Sequence, residues 1–157
     1  MVKTDQKIRK VKKLDLKKMK QIDKKSTAEM KKIIKEYGWP GKNLVGEKGA
    51  DGAWLLVQHA DHDLQFQKKC LRLLRKAVKR GEAKKSNLAY LIDRVLTHEK
   101  RKQLYGTQFR LERKLNTLSP HPIQNIKNLD KRRKAMGLGS FSEYKKLIEK
   151  SYKSLGD

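Results

Sequence analysis

Residues 58–63, with the sequence Gln-His-Ala-Asp-His-Asp, place two imidazoles and two carboxylates within one short stretch. Because an imidazole titrates near neutral pH, His59 is suited to accept or donate a proton during a reaction. A carboxylate beside the ring would orient it and stabilise its protonated form. We expect Asp93 to be that carboxylate, with Asp61 and Asp63 as local alternatives. The non-catalytic alternative is that His59 binds the last carbonyls of one helix while Asp61 and Asp63 cap the next.

A second polar stretch, residues 103–108 with the sequence Gln-Leu-Tyr-Gly-Thr-Gln, adds neutral hydrogen-bonding groups. Because arginine matches carboxylate and phosphate groups, we predict one polar pocket for a small anionic ligand, such as a nucleotide or another phosphorylated or carboxylated metabolite. Histidine acid/base chemistry would transform that ligand, and Arg94 would bind its charge. The predicted catalytic residues are His59, Asp93 and Tyr105. The predicted ligand-binding residues are Gln58, Asp61, Tyr90, Arg94, Gln103, Gln108 and Arg133. The alternative is a structural network in which Asp93 and Arg94 tie helices together.

Other chemistry has weaker support in the sequence. His59 and His62 have the spacing H-x-x-H, which occurs in metal sites but is unspecific. No H-E-x-x-H motif and no cysteine cluster accompanies this pair, so we predict neither a metal nor another cofactor. Cys70 is the single cysteine, and its place on an apolar helical stripe favours the core over a nucleophilic role.

The formal net charge of +24, from 41 Lys and Arg against 17 Asp and Glu, indicates an affinity for anions. An alternative function is therefore a non-catalytic protein that binds nucleic acid through its basic helices, independently of sequence. No zinc-finger, RRM or KH motif supports base recognition. A highly soluble surface without a polymer partner is the simplest explanation of the charge.

The remaining composition bears on location. No apolar run approaches the roughly 18 residues that a membrane span needs, so we expect no membrane association. The basic N-terminus lacks the apolar segment of a secretory signal, and one cysteine allows no intrachain disulfide. We expect a cytoplasmic protein.

Apolar residues recur every three or four positions over most of the chain, which predicts a mainly α fold. We expect a compact array of about six helices, with at most one small β hairpin or extended arm near residues 105–112. A single domain should span residues 1–157, with a basic N-terminal helix over 1–25 packed on it or extending from it. Asp5 and Arg9 have the spacing of an ion pair on that helix.

Capping patterns predict where the helices begin and end. Ser26 and Glu29 have capping-box spacing and predict the start of the second helix, which Gly38 should end. A loop should follow over 40–49, before a nearly apolar third helix that starts at Ala50 or Asp51 and ends at His59.

Similar signals mark the later helices. Asp61 or Asp63 should cap the fourth helix, Gly81 should end it, and Ser86 should cap the fifth. Asp130 should cap a short helix that Gly137 ends. Ser140 and Glu143 repeat the capping-box spacing before the last helix.

Taken together, the motifs resemble an uncharacterised bacterial domain family whose function is unknown. The resemblance covers nearly the whole chain and implies a single domain that includes the N-terminal helix, but it implies no reaction. This chain is more basic than that resemblance leads us to expect. The matching residues are Asp5-Gln6, Arg9, Gly38-Trp39-Pro40, Gly46, Trp54, Gln58-His59-Ala60-Asp61, Phe66-Gln67, Ala89-Tyr90-Leu91, Asp93-Arg94-Val95, Gln103, Tyr105-Gly106-Thr107-Gln108, Asp130, Arg132-Arg133 and Gly137-Leu138.

Overall fold

The computed structural model describes the backbone of residues 1–9, 15–112 and 117–156. Over these ranges the chain forms seven α-helices and one two-stranded antiparallel hairpin, which confirms the predicted mainly α class. The helices are α1 (Val2–Arg9), α2 (Leu16–Tyr37), α3 (Lys42–Gln58), α4 (Leu64–Lys79), α5 (Lys85–His98), α6 (Leu129–Ala135) and α7 (Phe141–Gly156). The strands are β1 (Phe109–Glu112) and β2 (Thr117–Pro120), and a 3-10 turn (Ile126–Asn128) precedes α6.

The chain divides into two compact units, residues 1–87 and 88–157. The first unit contains α1 to α4, and the second contains the hairpin, α6, α7 and most of α5. The prediction of a single domain over 1–157 stays a prediction. None of the helices in the described ranges combines the length and the apolar content needed to cross a bilayer.

The predicted start of a helix at Ser26 is wrong, because α2 begins ten residues earlier, at Leu16. The Asp15 carboxylate caps α2 by accepting a hydrogen bond from the amide of Lys18 at 2.9 Å. Ser26 is buried within the helix, on the same stripe as Met30 and Ile34. The spacing of Ser26 and Glu29 therefore does not mark a cap, because Ser26 is a small side chain on the buried face of α2.

The N-terminal segment differs from a single helix over 1–25. α1 ends at Arg9 and α2 begins at Leu16, while residues 10–14, including part of the predicted apolar stripe, lie outside the described residues. The side chain of Arg9 also lies outside them, so its predicted pairing with Asp5 stays a prediction.

The predicted loop over 40–49 is wrong in part, because α3 already begins at Lys42. Glu82 supports this first turn with two hydrogen bonds. Its carbonyl accepts the amide of Lys42 at 3.0 Å, and its carboxylate accepts the amide of Asn43 at 2.8 Å. Gly46 interrupts the helix with φ 71° and ψ 172°, a conformation that favours glycine. Beyond that break α3 continues to Gln58, and His59 is its C-cap, so the helix ends one residue before the predicted end at His59.

The core of the first unit lies between α3 and α4. Leu56, Val57, Cys70 and Leu74 are all buried. Burial raises the pKa of the Cys70 thiol to about 12, so the reactive thiolate does not form near neutral pH. The predicted core position of Cys70 is confirmed.

In the second unit, β1 pairs with β2 in the register Phe109 to Pro120, which confirms a hairpin near the expected place. Ser140 and Glu143 form the predicted capping box, with the Ser140 hydroxyl 2.7 Å from the carboxylate. Asp130 lies within α6 and does not cap it. Its carboxylate instead accepts the amide of Phe141, the first residue of α7, at 2.8 Å.

The other predicted boundaries need one correction. Asp63 caps α4 as predicted. Gly81 and Gly137 have positive φ just after α4 and α6, as expected of residues that end helices. Ser86 lies in the first turn of α5 and not before it, because α5 begins at Lys85.

Candidate functional site

The ring of His59 lies against the carboxylate of Asp5. Its Nδ1 atom is 3.0 Å from Oδ1 and 3.1 Å from Oδ2 of Asp5. The Asp5 side chain is 1% exposed and that of His59 is 17% exposed. Gln6 donates a second hydrogen bond to Asp5 Oδ2 at 2.8 Å. Because a buried carboxylate needs donors, a proton on Nδ1 is the favoured tautomer, and it leaves Nε2 unprotonated in the neutral ring.

Close packing of α1 on α3 brings Asp5 to His59. A Cβ atom at Gly52 would lie 2.8 Å from Cγ2 of Val2, so a larger residue would push the two helices apart. Asp5 follows Val2 by about one helical turn, and His59 follows Gly52 by about two. The N-terminal helix therefore supplies the carboxylate of the site.

A buried glutamine fixes the loop after His59. Gln67 donates through Nε2 to the carbonyl of Val57 at 3.1 Å and to the carboxylate of Asp61 at 3.2 Å. Gln67 itself is fully buried on α4, so the loop is anchored to the core. Asp61 therefore has a structural partner of its own.

Asp63 has a different structural role. Its Oδ1 accepts the amide of Phe66 at 2.9 Å, and its Oδ2 lies 2.6 Å from the ammonium of Lys31. These two donors hold the pKa of Asp63 below its usual value. The alternative that Asp63 caps the next helix is thus what the structure shows.

A cleft of about 530 Å³ opens beside the His59 imidazole, within the first unit. Residues of α2 form one wall, and the loop after α3 forms the other. The lining residues are Met19, Lys20, Gln21, Asp23, Lys24, His59, Asp61 and His62. The predicted 58–63 motif therefore contributes three side chains to one cavity, with two lysines facing the same space.

Asp5, Asp23 and His59 could also hold a metal ion. Each offers a ligand atom, and the three atoms lie within 4.8 Å of one another. Across the described ranges no other group of three His, Cys, Asp or Glu side chains has this arrangement, and His62 is not part of it. Two carboxylates and an imidazole suit ions such as Mn²⁺, Fe²⁺ or Zn²⁺. The prediction that no metal binds stays a prediction.

Asp93, the predicted orienting residue, holds a backbone turn in the second unit. Its carboxylate accepts the amides of Leu104 at 2.7 Å, Tyr105 at 3.1 Å and Thr107 at 3.0 Å, together with the Thr107 hydroxyl at 3.0 Å. Burial raises the pKa of the Asp93 carboxyl above its usual value, although these hydrogen-bond donors act to lower it. Asp93 thus has a structural role that ties α5 to the 103–108 stretch, rather than tying helices together with Arg94.

Gln103 stabilises the same stretch. It is fully buried, and its Nε2 donates to the carbonyls of Gln108 at 3.0 Å and His121 at 2.8 Å. Its Oε1 accepts the amide of Gln108 at 2.9 Å. The Gln108 side chain donates to the Thr107 hydroxyl at 3.0 Å. Both donors of Gln103 are thus used by backbone groups, which supports a structural role.

Two further predicted residues meet at a separate cleft of the second unit. Tyr90 and Arg133 both line this cleft, whose volume is about 580 Å³. Arg133 is 1% exposed and donates through Nη1 to the carbonyl of Tyr105 at 2.6 Å. Arg94 is half-buried on α5.

The predicted site residues thus fall into two groups. The first unit contains Gln58, His59 and Asp61, and Gln58 Oε1 is buried without a hydrogen-bond donor among the described residues. The second unit contains Tyr90, Asp93, Arg94, Gln103, Tyr105, Gln108 and Arg133. Sequence reasoning missed Asp5 and Asp23. Asp5 had one signal, its place in the Asp5-Gln6 pair of the resemblance, whereas Asp23 lies in a lysine-rich helix and had none.

One comparison with known proteins gives a match. A family model described as a family of unknown function (DUF6624) matches residues 7–155. The matched range includes Asp23 and His59, and Asp5 lies just before it. No curated protein and no solved structure matches the chain.

Proposed function

The chain belongs to this family of unknown function, as its motifs indicated, and we propose its function from the geometry around His59. The protein binds a small anionic ligand in the His59 cleft and transfers a proton with that imidazole. One observation carries the proposal: a buried carboxylate lies 3.0 Å from Nδ1 of a ring that also lines a cleft.

The two nitrogens of the His59 ring have different roles. Nδ1 donates a hydrogen bond to the Asp5 carboxylate, which orients the ring, and Nε2 accepts a proton from the ligand. The imidazolium formed in that step is paired with the Asp5 carboxylate, so its charge does not remain isolated in a partly buried position. Asp5 thus takes the role that the sequence had suggested for Asp93.

Charge supports an anionic ligand. The cleft is lined by Lys20 and Lys24 as well as by Asp23 and Asp61, and the two ammonium groups can pair with phosphate or carboxylate. The field of a chain with net charge +24 also raises the local concentration of anions. A nucleotide, a phosphorylated metabolite or a carboxylated metabolite fits both features.

A matched pair of lysine variants tests where the ligand binds. We would titrate ¹⁵N-labelled protein with AMP, glucose 6-phosphate and citrate, and measure the dissociation constant of each. Lys24→Ala should weaken binding of the tightest of these ligands about three- to tenfold, because an ammonium facing the anion is lost. Lys25→Ala removes an exposed lysine that does not line the cleft and should change binding less than about twofold. Equal losses in the two variants would show that total charge, and not the cleft, governs binding.

A chelator separates proton transfer by His59 from metal chemistry at the same residues. Turnover that EDTA leaves unchanged supports the acid/base role. Turnover that EDTA abolishes and Mn²⁺ restores would instead assign Asp5, Asp23 and His59 to a metal centre.

A second candidate function is supported by the outer face of α4. Arg72, Arg75, Lys76 and Lys79 are exposed, and no carboxylate of the described residues lies within 4.0 Å of them. Such a face can contact the phosphates of nucleic acid without reading bases.

Salt dependence tests this second candidate. Affinity for a 20-base-pair DNA duplex should fall steeply with salt, and two unrelated sequences should bind alike. The double variant Arg75→Ala/Lys79→Ala should reduce the slope of log K against log salt by about two. Arg101, which lies 3.2 Å from Glu99, provides the control, and Arg101→Ala should leave the slope nearly unchanged. Weak binding that ignores salt would remove this candidate.

A further inference from the structure

Arg133 is a buried guanidinium that Asp130 and Asp93 affect only through space, without a salt bridge among the described residues. Nε donates to the carbonyl of Gly139 at 2.7 Å, and Nη1 donates to the carbonyl of Tyr105 at 2.6 Å. No carboxylate in the part of the chain that the structure describes lies within 4.0 Å of it. Neutral carbonyls offset part of the cost of burial, but a buried charge is ordinarily paired with an opposite one.

The guanidinium retains donors for such a partner. Arginine has five N–H groups, and the two hydrogen bonds of Arg133 to backbone carbonyls use one each on Nε and Nη1. Nη2 donates no hydrogen bond to the described residues. Arg133 is one of the residues that line the cleft of about 580 Å³, so a ligand bound there would lie next to the guanidinium.

Aromatic rings hold the guanidinium in place. Its carbon lies 4.9 Å from the ring centre of Tyr144, and the ring of Tyr90 meets that of Tyr144 edge-on at 6.1 Å. This contact and the two carbonyls fix the plane of the guanidinium group, whose N–H donors form a fork. A fork that is fixed before binding loses little entropy when it pairs with an oxyanion.

The rim of the cleft is basic on one side. Lys146 and Lys150 lie one turn apart on α7 and both line the cleft. The acid among the lining residues is Glu143, and its carboxylate already accepts the amide and hydroxyl of Ser140. Cations therefore outnumber the available carboxylates.

The same cleft has an apolar wall. Leu138 and Leu147 line it, and Leu147 is 62% exposed although it is a large apolar side chain. Exposed leucine beside a buried arginine is suited to a ligand that carries both an oxyanion and an apolar group.

We propose that this cleft of the second unit binds an organic anion, whose carboxylate or phosphate pairs with Arg133 while its apolar part packs on Leu147 and Tyr90. Lys146 and Lys150 bind the outer oxygens of the anion. The site is independent of the function proposed for His59, since it shares no residue with that cleft.

Three simple probes test the site in the full-length protein. ¹⁵N-labelled protein is titrated with phenyl phosphate, benzoate and inorganic phosphate. We expect saturable shifts at residues 137–150 with phenyl phosphate or benzoate, and weaker binding of inorganic phosphate. The stronger of the two aromatic probes identifies phosphate or carboxylate as the preferred group. Failure of both to bind, or shifts confined to residues 19–62, would overturn the proposal.

Variants then test each part of the site. Arg133→Lys should weaken binding of the aromatic probe at least about tenfold, because lysine cannot reproduce the planar, two-pronged donors of the guanidinium group. Arg133 also supports two loop carbonyls, so exposed residues give an independent test if that variant fails to fold. Lys146→Ala and Leu147→Ser should each weaken binding about three- to tenfold. Lys145→Ala, an exposed neighbour that does not line the cleft, should change it less than about twofold. Equal effects at Lys145 and Lys146 would contradict the site.

Discussion

Replacing His59 by asparagine should lower turnover of the cleft ligand about 100- to 10,000-fold, with a much smaller change in KM. Asparagine can keep the backbone conformation after α3, but it has no group that titrates near neutral pH. The loss should therefore appear in kcat, measured with the best ligand from the titration series. Circular dichroism would verify that the variant keeps its helices.

Two further variants define the origin of that loss. Asp5→Asn should also lower kcat, because the ring of His59 loses the carboxylate that orients it. His98→Asn changes an exposed histidine outside the cleft and should leave kcat within about twofold of the wild type. If His59→Asn retained full turnover, His59 would have a structural role only.

The second large effect concerns stability. Asp93→Ala should reduce the free energy of unfolding by about 3–5 kcal/mol. The amides of Leu104, Tyr105 and Thr107 would lose their acceptor, and alanine would leave a small cavity beside them. Urea unfolding followed by circular dichroism measures this change.

An exposed acid provides the comparison for Asp93. Glu149 pairs with Lys145 across one turn of α7 at 3.8 Å, and Glu149→Ala should cost about 0.5 kcal/mol or less. A loss below about 1 kcal/mol for Asp93→Ala, accompanied by reduced turnover, would restore the catalytic role that the sequence suggested.

Local signals predicted much of the fold. The end of α3 before His59, the Asp63 cap and the capping box at 140–143 depend on residues within a few positions of each other. The same reasoning failed at Ser26, because a serine followed by glutamate three residues later also occurs inside a helix. Whether Ser26 caps α2 or lies on its buried face depends on the apolar stripe that begins before it.

The partner of His59 could not be predicted in this way. Its contact with Asp5 requires α1 to lie close to α3, and that approach depends on the absence of a side chain at Gly52. No residue close to Asp5 or His59 in the sequence indicates this packing of α1 on α3. The sequence predicted Asp93 as the orienting acid, but in the structure backbone amides that need an acceptor account for its burial.

The most direct measurement is the protonation state of the two His59 ring nitrogens, observed by long-range ¹H–¹⁵N NMR at a pH where the ring is neutral. The proposed role of Asp5 predicts a proton on Nδ1 and an unprotonated Nε2 in the wild type, and a weaker preference in Asp5→Asn. A wild-type ring with its proton on Nε2 would contradict that role, because the nitrogen assigned to accept the ligand's proton would already carry one.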